Sequence, residues 1–399
     1  MKKTLNIILF ITIAVSTLYI SFDQPQTITS NDAVIHCEIM APTIKNGLNP
    51  YIHENLVISD TREEKKDSIS NTPFNHIPTL NGLLLILCNE TKVNWVNLYP
   101  YILFVIFCLA ILFISTTSIQ PAYYSLFFIS FGNGVYQSIR SGNLSSFAFL
   151  FLVIACYMID KDWYLVGGAF YGIYILYRMT PLVVVILILF ILKNKKARQF
   201  LIGFSSIFVS SLIYSSIFQT VLLKDWFLRV VLPESLSNRI NPALSEGRQM
   251  WEQNILGDYF DIPSVLNFIH YFNSLSIFLG IGISIFTLYS LYKILLSIDR
   301  FELNLEIFLV LNLVHLAISP YFRSYHIIEL AFIATILIAK NNEEFPLVYW
   351  IFPTSFYLST YLRVIEINPV YTTVLHDLAP PLLLLYLFSQ YSFGDKLKS

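Results

Sequence analysis

The sequence predicts an all-α polytopic membrane protein, a bundle of about twelve spanning helices, and three observations carry that expectation. The 399-residue chain is 55% hydrophobic and only 13% charged, about half the charged share of an ordinary soluble domain. Its apolar runs are long and continuous. Only helices and closed barrels satisfy the backbone in lipid, and these runs lack the short alternating pattern of barrel strands. Lys and Arg gather in short clusters between the runs, as membrane topology requires. The formal net charge of −1 supplies no field for nucleic acid. No Walker loop, dinucleotide glycine pattern or internal repeat is present. Residues 1–399 read as one integral-membrane domain with long outer loops at 23–94 and 224–263.

The first candidate span, 5–22, follows Lys2 and Lys3 and is free of charge. A cleavable signal segment would look similar, but no clear Ala-x-Ala site follows, so a retained helix is the expectation. Further spans are expected at 96–115, 121–138, 144–159, 163–177, 181–192, 200–223, 274–296, 307–318, 326–339, 346–362 and 374–389. Several fall short of the ~20 residues of a full crossing. The fifth and sixth are separated only by Arg178, Met179 and Thr180. Pro181 disfavours helix at the residue before it, so a break is expected there, with a single kinked span as the alternative.

With Lys2 and Lys3 inside, twelve alternating helices place Lys161, the cluster 193–198, Lys293, Arg300, Lys340, Lys396 and Lys398 on the same side. Both termini are then cytoplasmic and the protein lies in the cell membrane. The two long loops fall outside, and functional chemistry is expected on that outer face. Cys37 and Cys88 lie in the first outer loop, where a disulfide is possible. Cys108 and Cys156 lie within apolar runs. No Cys/His spacing resembles a zinc site, and no metal or other cofactor is expected.

The residues with chemical potential cluster near the outer ends of the spans. Asp32 sits a short way past the first span. The helical pattern of 32–44, with Ile35, Ile39 and Met40 apolar, suits a short helix in the membrane interface. Asp32 is then an N-cap, a general base, or both, and Glu38 lies on a different face. Asn49, Pro50 and Tyr51 form a turn. His76 precedes a short apolar segment and is either a ligand or a surface histidine. Asn143 follows Ser141 and Gly142 in a turn that suits a helix cap or the floor of a polar pocket. Arg178 interrupts a long apolar stretch, where it either snorkels to the interface or holds a phosphate through its planar fork. Arg323 and His326 share a tight outer hairpin. Glu329 follows His326 by one turn, and an intramembrane carboxylate is a site hypothesis by default, against a self-satisfied His–Glu pair.

Taken in order, these stretches resemble the GT-C membrane glycosyltransferases, in particular glycosyltransferase family 87 (the DUF2029 group). The similar stretches are Asp32 followed by Gly47-Leu48-Asn49-Pro50-Tyr51, then Phe74-Asn75-His76-Ile77-Pro78, then Ser141-Gly142-Asn143. Next come Gly167-Gly168 through Arg178-Met179-Thr180-Pro181 with the basic cluster at 193–198, and Ser319-Pro320 with His326. The chain departs from the pattern in three places. The usual Gln beside Asn143 is missing, Arg178 stands where Lys is common, and Pro78 is not paired with a second proline.

The resemblance implies a hexosyltransferase that moves a sugar, often mannose, from a polyprenyl-phosphate donor to a glycan or glycolipid acceptor on the outer face. It implies inversion with Asp32 as base and Arg178, Arg323 or His326 holding the donor phosphate. Glu38, Asn49, Tyr51, His76, Asn143 and Glu329 would line the substrate site. Two other classes fit a polytopic chain with long outer loops: an O-antigen-type polymerase or ligase, and a lipid-linked-sugar transporter. A transporter needs charges through the middle of several helices, commonly with repeated halves. The charges here gather at helix ends.

Overall fold

The computed structural model describes residues 37, 40–52, 55, 77–81, 88, 95–117, 145–179, 181–191, 194–228, 261–262, 289, 292–293, 302–318, 322–341, 383 and 386–387. The expected spans 5–22, 121–138 and 346–362, and most of 274–296 and 374–389, lie outside them. The described chain is helical: α1 (Ala41–Lys45), α2 (Trp95–Thr117), α3 (Ser145–Asp160), α4 (Tyr164–Tyr177), α5 (Leu182–Ile191), α6 (Lys195–Phe218), α7 (Thr220–Trp226), α8 (Leu305–Ile318) and α9 (Ser324–Asn341). Two two-residue strands, β1 (Asp261–Ile262) and β2 (Phe322–Arg323), pair antiparallel and fasten the end of the second long loop to the α8–α9 connection. Each expected span within the described residues overlaps at least one helix.

Helix ends follow local chemistry. Arg178 is extended (φ −147°, ψ 109°), and it separates α4 from α5. α6 begins inside the basic cluster because the Asn194 side chain caps it, accepting from the Ala197 N–H at 2.8 Å. The expected span 200–223 is in fact divided. Gln219 leaves helical geometry (φ −136°, ψ 36°), so α6 stops at Phe218 and α7 resumes at Thr220. α6 is 24 residues, about 36 Å at 1.5 Å per residue. Among the described residues it is the one helix both long and apolar enough to cross a membrane.

α4 and α6 pack side by side and run parallel. Gly168 faces Phe200, Gly172 faces Phe204 and Ile207, and Gly203 faces Leu165 and Ala169. A Cβ at Gly168 would overlap the Phe200 carbonyl, and one at Gly203 would overlap the Leu165 carbonyl. The missing side chains let the two backbones touch. Because both helices ascend together, α5 must descend between them, so the break at Arg178 turns the chain back and no kinked single span forms. Tyr171, Phe200 and Phe308 close the three-helix contact, with ring centroids 5.0–5.6 Å apart. α8 and α9 are buried along nearly all of their described length, the signature of a central helix pair. α6 exposes Ile202, Val209, Ile213 and Ile217 along one side.

One end of the bundle gathers the expected inside cations. Lys161 and Lys340 both reach Asp160, at 3.3 and 3.5 Å, while Lys196 reaches Glu302 at 3.1 Å and Asp162 at 3.8 Å. Pairs this exposed add little stability, but they show that the turns after α3, before α6 and after α9 lie together. The turn from α3 to α4 is tight. Asp162 takes the left-handed conformation (φ 60°), and the Trp163 N–H donates to the Met158 carbonyl at 2.8 Å, a Schellman ending with Asp where Gly is usual.

The opposite end carries the first long loop. Cys37 and Cys88 form a disulfide across 51 residues. α1 ends in a second Schellman turn at Gly47 (φ 72°), and Met40, Tyr51, Ile77 and Leu80 enter the core. Thr79 meets Ser211 and Ser215 of α6 at 2.6 and 2.9 Å. Asn49 donates to Asp225 of α7 at 2.6 Å.

Two outcomes test this packing. Gly168→Val is expected to destabilise the detergent-solubilised protein by about 3 kcal/mol or more through overpacking, lowering the thermal midpoint well beyond the effect of an exposed control such as Ile202→Val. In the mature protein Cys37 and Cys88 are expected to resist alkylation until a reductant is added, as read by mass spectrometry.

Candidate functional site

The described site is a polar cluster buried where α4, α8 and α9 meet, toward the end that receives the first loop. It starts from the break after α4. At the last turn the helix carbonyls need partners, and the Arg178 N–H accordingly serves both the Tyr174 and Ile175 carbonyls, at 3.2 and 3.0 Å. The extended backbone then turns the Arg178 side chain inward, leaving the residue 7% exposed. Its Nη1 donates to Oε1 of Glu329, which is 2% exposed. Arg178 is therefore buried in an ion pair and does not snorkel to an interface.

Around the pair lie further polar groups. Tyr174 lies against the Arg178–Glu329 pair. His315, on α8, is buried and within electrostatic reach of Arg178. One layer further toward the lysine-bearing end, the Tyr171 hydroxyl donates to Asn312 Oδ1 at 2.9 Å, and Asn312 Nδ2 donates to the Phe308 carbonyl at 2.8 Å. Among the described residues, Glu329 Oε2 and His315 Nε2 are buried without a hydrogen-bond partner. Burial of such atoms costs free energy unless something satisfies them, which makes this cluster the candidate site.

Of the residues expected from sequence, the structure brings Arg178 and Glu329 together. Arg323 lies in β2, its backbone in register with Asp261 of β1, and His326 lies in the first turn of α9. Asn49 does not sit with this cluster. Its Oδ1 accepts from the Tyr51 N–H at 3.0 Å and its Nδ2 holds Asp225, so it ties the first loop to α7. Tyr51 is buried beside Asn81, and burial pushes its phenol well above the ordinary tyrosine range, keeping it a neutral donor. Asp32, Glu38, His76 and Asn143 lie outside the described residues. Sequence reasoning missed His315, Tyr174, Asn312 and Asn81. A polar residue inside an apolar helix was the available signal for the first three.

No family model, curated protein or solved structure matches the chain.

Buried ion pairs are costly to break from one side, about 3–5 kcal/mol, yet often replaceable by an apolar pair. Glu329→Leu alone is expected to lower the unfolding midpoint sharply. The double change Arg178→Met with Glu329→Leu is expected to recover most of that loss while remaining inactive in any assay of function. Recovered activity in the double variant would reduce the pair to a packing element.

Proposed function

We propose that this protein is a multi-pass hexosyltransferase of the GT-C type in the cell membrane, using a polyprenyl-phosphate sugar, with mannose the first candidate. The observation that carries the reading is the docking of the first long loop onto the bundle end nearer the buried Arg178–Glu329 pair. A Cys37–Cys88 disulfide requires an oxidising compartment, which supports an outer position for that loop. The cations at the other bundle end suit the cytoplasmic side. Asp32, the proposed base, precedes the cross-linked Cys37 by only five residues in sequence (37 − 32).

In the proposed reaction the Asp32 carboxylate takes the proton of an acceptor hydroxyl. The acceptor oxygen bonds to the anomeric carbon on the face opposite the donor phosphate, the carbon–oxygen bond to phosphate breaks, and polyprenyl phosphate leaves with the bonding pair. The base must reach the hydroxyl within hydrogen-bond distance. The leaving phosphate needs cationic or dipolar stabilisation and no strong acid, a role assigned to Arg323 and His326. The acceptor is a glycan or glycolipid, and the surrounding partner is the bilayer.

The buried Arg178–Glu329 pair also favours a second reading, a lipid-linked-sugar transporter, because charge inside a helix bundle lines many transport paths. One experiment separates the two. Purified protein is given polyprenyl-phosphate-[14C]mannose and a lipid-glycan extract, with Asp32→Asn alongside. Label in a new glycosidic product with wild type only is expected, with Asp32→Asn folded and at least a hundredfold slower, in line with loss of a general base. Movement of intact donor across proteoliposomes without a new bond would instead select the transporter, and normal transfer by Asp32→Asn would remove the assigned base.

A further inference from the structure

The short helix that follows the long span is built the wrong way round for water. α7 begins one residue past Gln219, and the chain keeps helical angles at Phe227 (φ −62°, ψ −47°). Val221, Lys224, Phe227 and Leu228 are all exposed, at spacings of three, four and seven residues that share one helix face. Val221 is 69% exposed. The other side turns Trp226 into the protein and engages the Asp225 carboxylate with Asn49 at 2.6 Å. A helix bordering water shows its polar residues and hides its apolar ones. Here a carboxylate is held inward while three large apolar side chains face out. This face also has a neighbour of the same character. The exposed side of α6, ending in Ile213, Ile217 and Phe218, runs directly into it across Gln219.

α6 fixes the depth at which this face lies. Its first turn carries Lys195, Lys196 and Arg198, so a hydrocarbon crossing of ~20 residues that starts at Phe200 ends at Gln219. The break in the helix gives the same boundary independently. Irregular backbone exposed to lipid does not occur within the hydrocarbon, and Phe218 and Thr220, on either side of the break, are both exposed. We propose that α7 is a membrane-interface helix. Its Val221, Phe227 and Leu228 side chains seat in the phospholipid leaflet remote from the lysine-bearing bundle end, and the Lys224 ammonium reaches up to the lipid phosphates. Helices of this kind sink their apolar face about 5–10 Å into the boundary between headgroups and acyl chains. The bond between Asn49 and Asp225 passes that position on, so the first loop is held against the membrane surface through α7. The inference rests on α6 crossing the membrane and is independent of glycosyl transfer.

Depth measurement with nitroxide labels tests this. Labels are attached at Val221→Cys and, separately, Phe227→Cys in the full protein, with Cys108 and Cys156 changed to alanine and the Cys37–Cys88 disulfide intact. The protein is held in nanodiscs of phosphatidylethanolamine and phosphatidylglycerol. Collisions with oxygen, which partitions into lipid, are compared with collisions with a water-soluble nickel chelate. Ile213→Cys serves as the hydrocarbon reference and Lys195→Cys as the aqueous one. The oxygen-to-nickel ratio at both α7 positions is expected several-fold above that at position 195 and below that at position 213. Labels that meet nickel freely would place the face in water. Labels that meet neither reagent would place it under the second long loop or a second copy of the chain. Either result overturns the inference while leaving α6 in the membrane, whereas a nickel-accessible label at position 213 would remove both. A second arm leaves the native cysteines in place, with p-benzoylphenylalanine substituted for Phe227 and activated by light. Mass spectrometry is expected to find a phospholipid adduct on the peptide that carries it. Adducts to protein alone would overturn the proposal.

Discussion

The ion pair between Arg178 and Glu329 is the constraint on which the upper half of the bundle depends. It joins the end of α4 to the second turn of α9 across 151 residues of sequence. An isolated charge at either place would face a desolvation cost of several kcal/mol. The pair is tolerated only while the chain breaks at Arg178, since a continuous helix would carry that side chain along a different path. The extended backbone and the buried guanidinium are thus one device. The same break lets α5 return and α6 ascend beside α4, where the glycines of both helices permit backbone contact.

The two ends of the bundle are built from different physics. At one, Lys161, Lys196 and Lys340 meet exposed carboxylates in high dielectric, where position matters more than strength. At the other, polar contacts are drawn into the protein: Thr79 with two serines of α6, Asn49 with Asp225, and the cluster around Glu329. Low dielectric makes each of these consequential, since an unmet partner is not compensated by water. Chemistry that needs a preorganised, water-poor setting is better served by the second end.

Much of the helical framework was legible in the sequence, because apolar runs bounded by charge and proline report directly on helix existence. Pro181 marked the α4–α5 break, and the basic cluster marked the start of α6. The interruption at Gln219 was not legible, since neither Gln219 nor its neighbours Phe218 and Thr220 break a helix by propensity. The site was legible in part. Arg178 and Glu329 stand out as charges in apolar surroundings, but the nearest cation to Glu329 in sequence is His326, whereas its partner lies at the end of a helix far upstream. His315 and Asn312 stand out only as polar residues in an apolar helix, and Asn312 takes its partner from Tyr171, 141 residues away. Pairings of this kind are set by helix packing, which a single sequence does not encode locally.

The Cys37–Cys88 link also orders events during synthesis. Both cysteines leave the ribosome before α2 begins at Trp95. The surfaces that the enclosed loop finally rests on come much later: Ser211 follows Thr79 by 132 residues, and Asp225 follows Asn49 by 176. At roughly 5–20 residues per second, that is a delay of several seconds to half a minute. The loop can therefore be covalently closed while its seat does not yet exist, and α6 and α7 assemble onto a segment whose shape is already restricted.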